Sequence, residues 1–365
     1  MRLALVVHDF DPAFGQGRYA VELARRLAPQ HEVHVWANTF APVDVAFTRH
    51  HVPAWRRTAL GTILTFLAAA EARLRGGTYD LVHAQGLTCW RADVITAHIC
   101  NGARHGVTPT AGWRQGLFPR VVPPLERGFY RQPQARHLIA VSNRVARQIR
   151  EQYGWVRPMT VVYHGTDTAL FAPATGPEEQ ARWRAEFGLS ATAWVWLFVG
   201  EAVKGLAEVI GALPAFPTAE LLVVSRSGLG PYRRLAAERA VAPRVRFHGP
   251  CRAIATAYKA ADVLTYPSGY DAFGLVVAEA MASGLAVVVG EETGAAEWIE
   301  PGRNGLLCPA GAPESLHAHL AWLQEDRRRG PGLGRAARAT VCRHDWDACA
   351  AQTLAVYESV VGRRG

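Results

Sequence analysis

Apolar runs of strand length, rich in β-branched residues, recur along this chain with amphipathic helical patterns between them. LALVVH (3–8) is followed by RYAVELARRLA (18–28), apolar at helical spacing, and then by EVHVWA (32–37). DLVHAQ (80–85), DVITAH (93–98) and HLIAVS (137–142) read as further strands, the last leading into the helical SNRVARQIREQYG. The second half repeats the scheme with WVWLFVG then LAEVIGAL, ELLVVS then YRRLAAERA, RVRFHG, DVLTYPS then LVVAEAMASG, and LAVVVG. Strands that are apolar throughout must be covered on both faces, so the pattern predicts an α/β protein with doubly wound parallel sheets. Two such sets in 365 residues fit two Rossmann-like domains. The break is expected in MTVVYHGTDTALFAPATGPEE, where Gly and Pro cluster.

Composition excludes several classes. With 49% hydrophobic and 19% charged residues, the chain is neither disordered, collagenous nor a coiled coil. The six cysteines form no C-x-x-C pair and read as reduced thiols of a cytoplasmic protein. The apolar run at the N-terminus is broken by His8 and Asp9, too early for a signal peptide, and no run reaches a membrane span. Charge is unevenly spread. Residues 1–170 hold 20 Arg, no Lys and 11 acids, whereas 171–365 hold 20 basic and 20 acidic residues, so the net +9 lies wholly in the first half. A basic half suggests an anionic partner: a lipid headgroup, a phosphorylated glycan or nucleic acid.

Ligands of open parallel sheets bind beyond the carboxyl ends of the strands, so the residues following each strand matter most. FGQGRYA (14–20) opens a helix soon after the first strand. Gly15 and Gly17 would bring backbone amides to a ligand at a helix N-terminus, where the dipole favours phosphate; a tight turn is the competing reading. With Ala20 these glycines also match G-x-G-x-x-A, but strand two ends without the acid that would hold a ribose, which argues against an NAD-dependent oxidoreductase. In DVLTYPSGYDAFGLVVAEAMASG (262–284) a strand ends at Tyr266-Pro267 and a helix starts near Gly274. The amides of Gly274, Leu275 and Val276 would face a diphosphate, with Glu279 within reach of a nucleoside's hydroxyls and Asp271 placed for sugar hydroxyls.

This stretch resembles the family 4 glycosyltransferases, retaining enzymes of GT-B architecture whose signature is P-S-x-x-E-x-F-G-L-x-x-x-E-A-M-A-x-G. Here it reads Pro267-Ser268-Gly269-Tyr270-Asp271-Ala272-Phe273-Gly274-Leu275, then Glu279-Ala280-Met281-Ala282-Ser283-Gly284. FGQGRYAVELARRL, VVYHGTDTALFAP, ETGAAEWIEPGRNGLL with Glu297, and DWDACAAQTLAVYESVV resemble the family's other segments. The resemblance implies an acceptor domain over 1–166, a donor domain over 167–344, and a C-terminal helix over 345–365 that crosses back to the first. The two sheets would face a central cleft. It further implies a nucleotide-sugar donor, Lys204 of FVGEAVKGL on the diphosphate, and His98 of VITAHICNG beside the reacting sugar. A surface lysine and a structural histidine are the competing readings. Three residues depart from the pattern: Asp271 stands for the first Glu, Phe14 for the first glycine of the opening pair, and Glu201 near the usual Arg.

No metal or cofactor is expected. Asp9-Phe10-Asp11 and Asp345-Trp346-Asp347 match D-x-D but adjoin no diphosphate loop, and His98, Cys100 and His105 lack a fourth ligand. Nucleic acid is not expected as a partner. Residues 54–77 and 113–136 mix Arg with Trp, Phe and Leu. They read either as ordinary core and connecting segments or as a peripheral contact with the inner face of the cytoplasmic membrane, serving an anionic glycan or lipid-linked glycan acceptor, which the resemblance implies belongs to a bacterial envelope or surface polysaccharide. A nucleotide-binding scaffold without catalysis is the remaining rival, suggested by Glu201 and Asp271.

Overall fold

The computed structural model describes residues 1–104, 117–250 and 253–362. It divides into two compact units, Met1–Gly165 with Trp346–Gly365, and Thr166–Asp345.

The first unit runs β1 (Arg2–Val6), β2 (Asp9–Phe10), α1 (Gly15–Leu27), β3 (Glu32–Ala37), β4 (Thr39–Phe40), β5 (Thr48–His51) and α2 (Ala59–Leu74). It continues through β6 (Leu81–Gln85), β7 (Val94–Ala97), α3 (Asn101–Arg104), α4 (Phe118–Tyr130), β8 (His137–Ala140), α5 (Asn143–Tyr153) and β9 (Met159–Val161). Its main sheet has the order β5-β3-β1-β6-β7-β8-β9, and every pairing is parallel. In register, Leu3 lies between Val33 and Leu81, all in the core. Fully burying each such side chain contributes about 1.5–3 kcal/mol. Tyr19, Leu23 and Leu27 recur at helical spacing on the buried face of α1. That helix starts at Gly15, three residues before the apolar periodicity does. The edge strand β5 reads Thr-Arg-His-His and is mostly exposed, so it carries no apolar run by which to recognise it.

The second unit runs α6 (Pro177–Glu186), β10 (Trp194–Val199), α7 (Leu206–Ala212), β11 (Ala219–Val224), α8 (Gly230–Glu238), β12 (Val245–His248) and α9 (Ile254–Ala260). Then follow β13 (Val263–Tyr266), α10 (Leu275–Ala282), β14 (Ala286–Gly290), β15 (Leu306–Cys308), α11 (Pro313–Glu325) and α12 (Arg329–Val341). Its sheet order is β12-β11-β10-β13-β14-β15, again all parallel. The order reverses between β10 and β13, which makes the carboxyl ends of those two strands the switch point. The last helix, α13 (Trp346–Gly362), belongs to the first unit, where Tyr357 is fully buried and Thr353 Oγ1 lies 3.2 Å from the Tyr19 hydroxyl.

Among the described residues no helix is long and apolar enough to cross a membrane. In α2 the apolar residues Phe66, Leu67, Ala70 and Leu74 are buried in the unit's core, while Leu64 and the preceding Trp55 stay exposed. Residues 113–116 of the second basic segment, His105 and Cys251 lie outside the described residues. The other five cysteines are free thiols, and four of them are buried.

Candidate functional site

The second unit's switch point is assembled from two loops. After β10 a turn is closed by the Lys204 amide donating to the Glu201 carbonyl at 3.0 Å. Gly205 then turns at φ +105, and a Cβ there would stand 2.7 Å from Pro267 Cγ. Glycine thus lets the lysine turn lie directly against the loop that follows β13. That loop begins at Pro267, which offers no N–H to continue a ladder. It is then pinned to the chain after β14, with the Asp271 amide donating to the Glu292 carbonyl at 3.0 Å and the Gly294 amide to the Asp271 carbonyl at 2.9 Å. Gly274 caps α10 at φ +88, where a side chain would meet Thr293 Cγ2 at 2.5 Å.

The outcome is an ion pair formed across 67 residues of sequence. Lys204 Nζ lies 2.8 Å from Asp271 Oδ2, with both side chains largely buried, 24% and 15% exposed. The Tyr266 hydroxyl donates to the same oxygen at 2.7 Å, and the Phe273 amide donates to Oδ1 at 3.3 Å. Burial works against the Asp271 charge, but the Lys204 charge and these hydrogen bonds hold its carboxyl below the usual range. Burial and the neighbouring Asp271 push the Tyr266 phenol well above its ordinary value, so it remains a donor. Leu275 and Val276 form the half-exposed first turn of α10, whose amides have no intrahelical partner. Glu279 lies one turn further, buried, and accepts a 2.7 Å bond from the Tyr258 hydroxyl of α9.

In the first unit His98 follows β7 and is buried. Its Nε2 lies 2.8 Å from Gln85 Oε1 and its Nδ1 lies 3.3 Å from His164 Nε2. A Gln85 carbonyl that accepts from Nε2–H leaves Nδ1 to accept from His164. The network continues inward, with His83 bonded to Thr96 at 2.7 Å and to Tyr357 of α13 at 2.6 Å. Burial, followed by the influence of His164 and His83, drives the His98 pKa well below its ordinary value, and burial alone pushes His83 down to about 3. Both rings are therefore neutral at physiological pH. Gly15 is exposed at the start of α1. Gly17 is buried, and a Cβ there would come within 2.2 Å of the Asp11 carbonyl oxygen, so close packing of its own chain accounts for this glycine. Arg56 is tied to Asp9 by hydrogen bonds from both terminal nitrogens.

The residues expected at the site therefore fall into two groups: Lys204, Asp271, Gly274, Leu275, Val276 and Glu279 in one unit, and Gly15, Gly17 and His98 in the other. Tyr266, Gln85 and His164 touch these residues but do not stand out in the sequence. A polar group on the last residue of a buried strand, as in β13 and β6, is the signal that could have found the first two. Among the described residues no group of three or more His, Cys, Asp or Glu could hold a metal ion.

Two Rossmann-ordered units in one chain, one with a cation and a helix N-terminus at its switch point, define the GT-B architecture. The crystal structure of WaaG, "a glycosyltransferase involved in lipopolysaccharide biosynthesis", matches with a TM-score of 0.84 at 20% identity, covering 99% of this chain and 100% of that one. The Anabaena protein HepE "in complex with UDP-glucose" matches with a TM-score of 0.76 at 19% identity, covering 98% of this chain and all of that one. At those identities the likeness establishes the fold. The family follows from sequence. The models described as "Glycosyltransferase Family 4" and "Glycosyl transferases group 1" match residues 14–170 and 179–340. A D-inositol 3-phosphate glycosyltransferase of Thermomonospora curvata is 34% identical over 94% of this chain and 90% of its own length. The chain belongs to the GT-B glycosyltransferase family that these proteins share.

Proposed function

We propose that the protein transfers a sugar from a nucleoside-diphosphate sugar to an anionic acceptor with retention of anomeric configuration and without a metal. The observation that carries this reading is the Lys204–Asp271 pair beside the Gly274-capped start of α10, at the switch point of the second sheet. An ammonium and free helix amides suit a diphosphate, and a carboxylate held charged next to them suits sugar hydroxyls. In this reading Lys204 and the amides of Gly274, Leu275 and Val276 bind the diphosphate, Glu279 takes the ribose, and Asp271 takes the transferred sugar. His98 and the Gly15–Gly17 turn serve the same reaction from the first unit. Catalysis is mainly electrostatic: the leaving diphosphate gains charge as the anomeric carbon becomes cationic, and fixed donors at the diphosphate lower that barrier. HepE, with its UDP-glucose complex, supports a nucleotide-sugar donor.

The acceptor reading rests on charge. The first half's +9 and the exposed Arg57, Arg120 and Arg127 favour a phosphorylated or lipid-linked glycan, presented at a membrane face to which the protein binds peripherally. The relative named for D-inositol 3-phosphate points to a phosphorylated acceptor as well. The test is a thermal-shift screen of uridine, guanosine and adenosine diphospho-sugars, followed by transfer assays with the stabilising donor. NMR of the product's anomeric proton reads retention or inversion, and EDTA-treated protein tests metal independence. No stabilisation by any nucleoside diphosphate at millimolar concentration would overturn the reading.

A further inference from the structure

We infer that Tyr266 is a positioning residue for Asp271: its hydroxyl holds the carboxylate in place and charged while Lys204 is drawn to the donor's diphosphate. This rests on the reading of Lys204 and Asp271 given above and deepens it. Asp271 Oδ2 is shared by Lys204 Nζ at 2.8 Å and Tyr266 Oη at 2.7 Å, whereas Oδ1 receives the longer Phe273 amide contact of 3.3 Å. A diphosphate entering beside α10 competes with Asp271 for that ammonium. A carboxylate only 15% exposed that loses its counterion must be compensated by another donor, take up a proton, or move.

Tyr266 is the donor that cannot follow the phosphate. It is the last residue of β13, 1% exposed, with its ring against Phe198 at 5.9 Å. A buried phenol needs a partner in any case, so core packing alone is the competing account. It explains why Tyr266 finds a carboxylate but assigns the hydroxyl no part in turnover. The titratable groups facing the pair come from several elements. Lys204 follows β10 and bonds Asp271 directly, while Glu201 in the same turn and Tyr258 of α9 act on Tyr266 through space. Glu292, after β14, offers its main-chain carbonyl to the Asp271 amide.

The decisive comparison sets Tyr266→Phe against Asp271→Asn and wild type in steady-state donor hydrolysis. Tyr266→Phe removes one hydrogen bond to a charged group and leaves the ring in place. It should lower kcat roughly ten- to hundredfold while the Kd for the nucleoside diphosphate stays within about threefold. With one fewer donor the Asp271 carboxyl is less acidic, so the acid limb of kcat should move to higher pH. A residue that only fills the core would move neither. If Asp271→Asn loses turnover while Tyr266→Phe keeps the wild-type kcat and acid limb, the inference fails and the site reading stands. If Asp271→Asn itself turns over normally, the site reading fails and takes the inference with it. Should Tyr266→Phe not fold, the Asp271 carboxyl can be titrated by NMR in ¹³C-aspartate-labelled wild type, with UDP, GDP or ADP at saturation. A midpoint that stays below the ordinary carboxylate range supports the inference; one that rises to or above that range overturns it.

Discussion

At the switch point of the second unit the Lys204 ammonium and the Asp271 carboxylate stand 2.8 Å apart, and the lysine's charge holds the carboxyl below its usual range. At the carboxyl edge of the first unit's sheet, the imidazoles of His98, His164 and His83, the Gln85 amide and the Tyr357 phenol form a buried chain in which His98 and His83 are held neutral. Both sheets are parallel, but the pair lies at the reversal between β10 and β13, whereas the imidazole chain lies one strand away from the reversal between β1 and β6, at β6 and β7. What differs is which side chains the strand ends and their loops supply. The loops after β10 and β13 bring opposite charges together close to water, whereas Gln85 at the end of β6 and His98 just after β7 lie buried in a network that Tyr19 and α13 cover. A site built around fixed charge suits a ligand that changes charge during reaction, and a neutral network suits orientation of an uncharged hydroxyl group.

The sharpest way to break the contrast is to discharge the second unit's pair. Asp271→Ala leaves the Lys204 ammonium without its carboxylate and should lower turnover at least a hundredfold, while nucleoside diphosphate affinity is retained, as read by single-turnover assay and calorimetry. Unchanged turnover removes Asp271 from the site. Lys204→Ala should weaken nucleoside diphosphate binding ten- to hundredfold, since a charge-assisted contact is worth about 1.5–3 kcal/mol. Because the same change strips Asp271 of its counterion, turnover should fall as well. Undiminished affinity would separate Lys204 from the diphosphate. On the other side, His98→Ala should reduce turnover with little change in diphosphate affinity. His98→Asn, which keeps a hydrogen-bonding group, should recover part of the loss.

The next effect in size is the response to acid. A histidine whose folded pKa is depressed binds no proton in the native state but takes one when unfolded. The stability it contributes is complete above about pH 6.5 and is lost as pH falls toward its folded value. For His83, pushed down to about 3, the loss at pH 5 is about 2 kcal/mol, at ~1.4 kcal/mol per pH unit. His98 acts in the same direction. Buried Glu126 of α4 works against them. Burial raises its pKa to about 7, an effect partly offset by bonds from Tyr153 and Asn101, so it gains stability as pH falls from 7 toward 4.5. Hydrogen exchange, corrected for intrinsic rate, should therefore show the first unit losing protection between pH 6.5 and 5 before the second does. Glu126→Gln removes the counterweight and should steepen that loss, and equal acid sensitivity of both units would contradict the assignment.

The smallest and most salt-dependent effect is surface attraction. The full-length protein should sediment with anionic liposomes at low salt and release as salt rises, with a Debye length of about 8 Å at physiological ionic strength. Arg57, Arg120 and Arg127 reversed to Glu should weaken this more than the same change at Arg234, Arg239 and Arg335 of the second unit. Arg56 is left out because it is already paired with Asp9. Equal binding to neutral vesicles, or none to either kind, favours an acceptor in solution.

Much of this was legible in the sequence, because continuous apolar strands and helical spacing are local patterns and water acts on them directly. LALVVH, WVWLFV and AVVV announce buried parallel strands, and the Gly274 cap with its following helix can be read where it stands. The polar edge strand β5 could not be read, since nothing in Thr-Arg-His-His marks pairing with β3. Nor could the partners within the site. Lys204 and Asp271 lie 67 positions apart, and they meet because the strand order of the sheet reverses between β10 and β13. Tyr357 reaches His83 across 274 positions because α13 returns to the first unit. Residue identities and local periodicity thus determined the elements and the chemical groups available. Which group faces which, and hence which carboxylate stays charged and which imidazole stays neutral, was decided by tertiary packing, because burial and a partner's charge set a pKa and both depend on the whole fold.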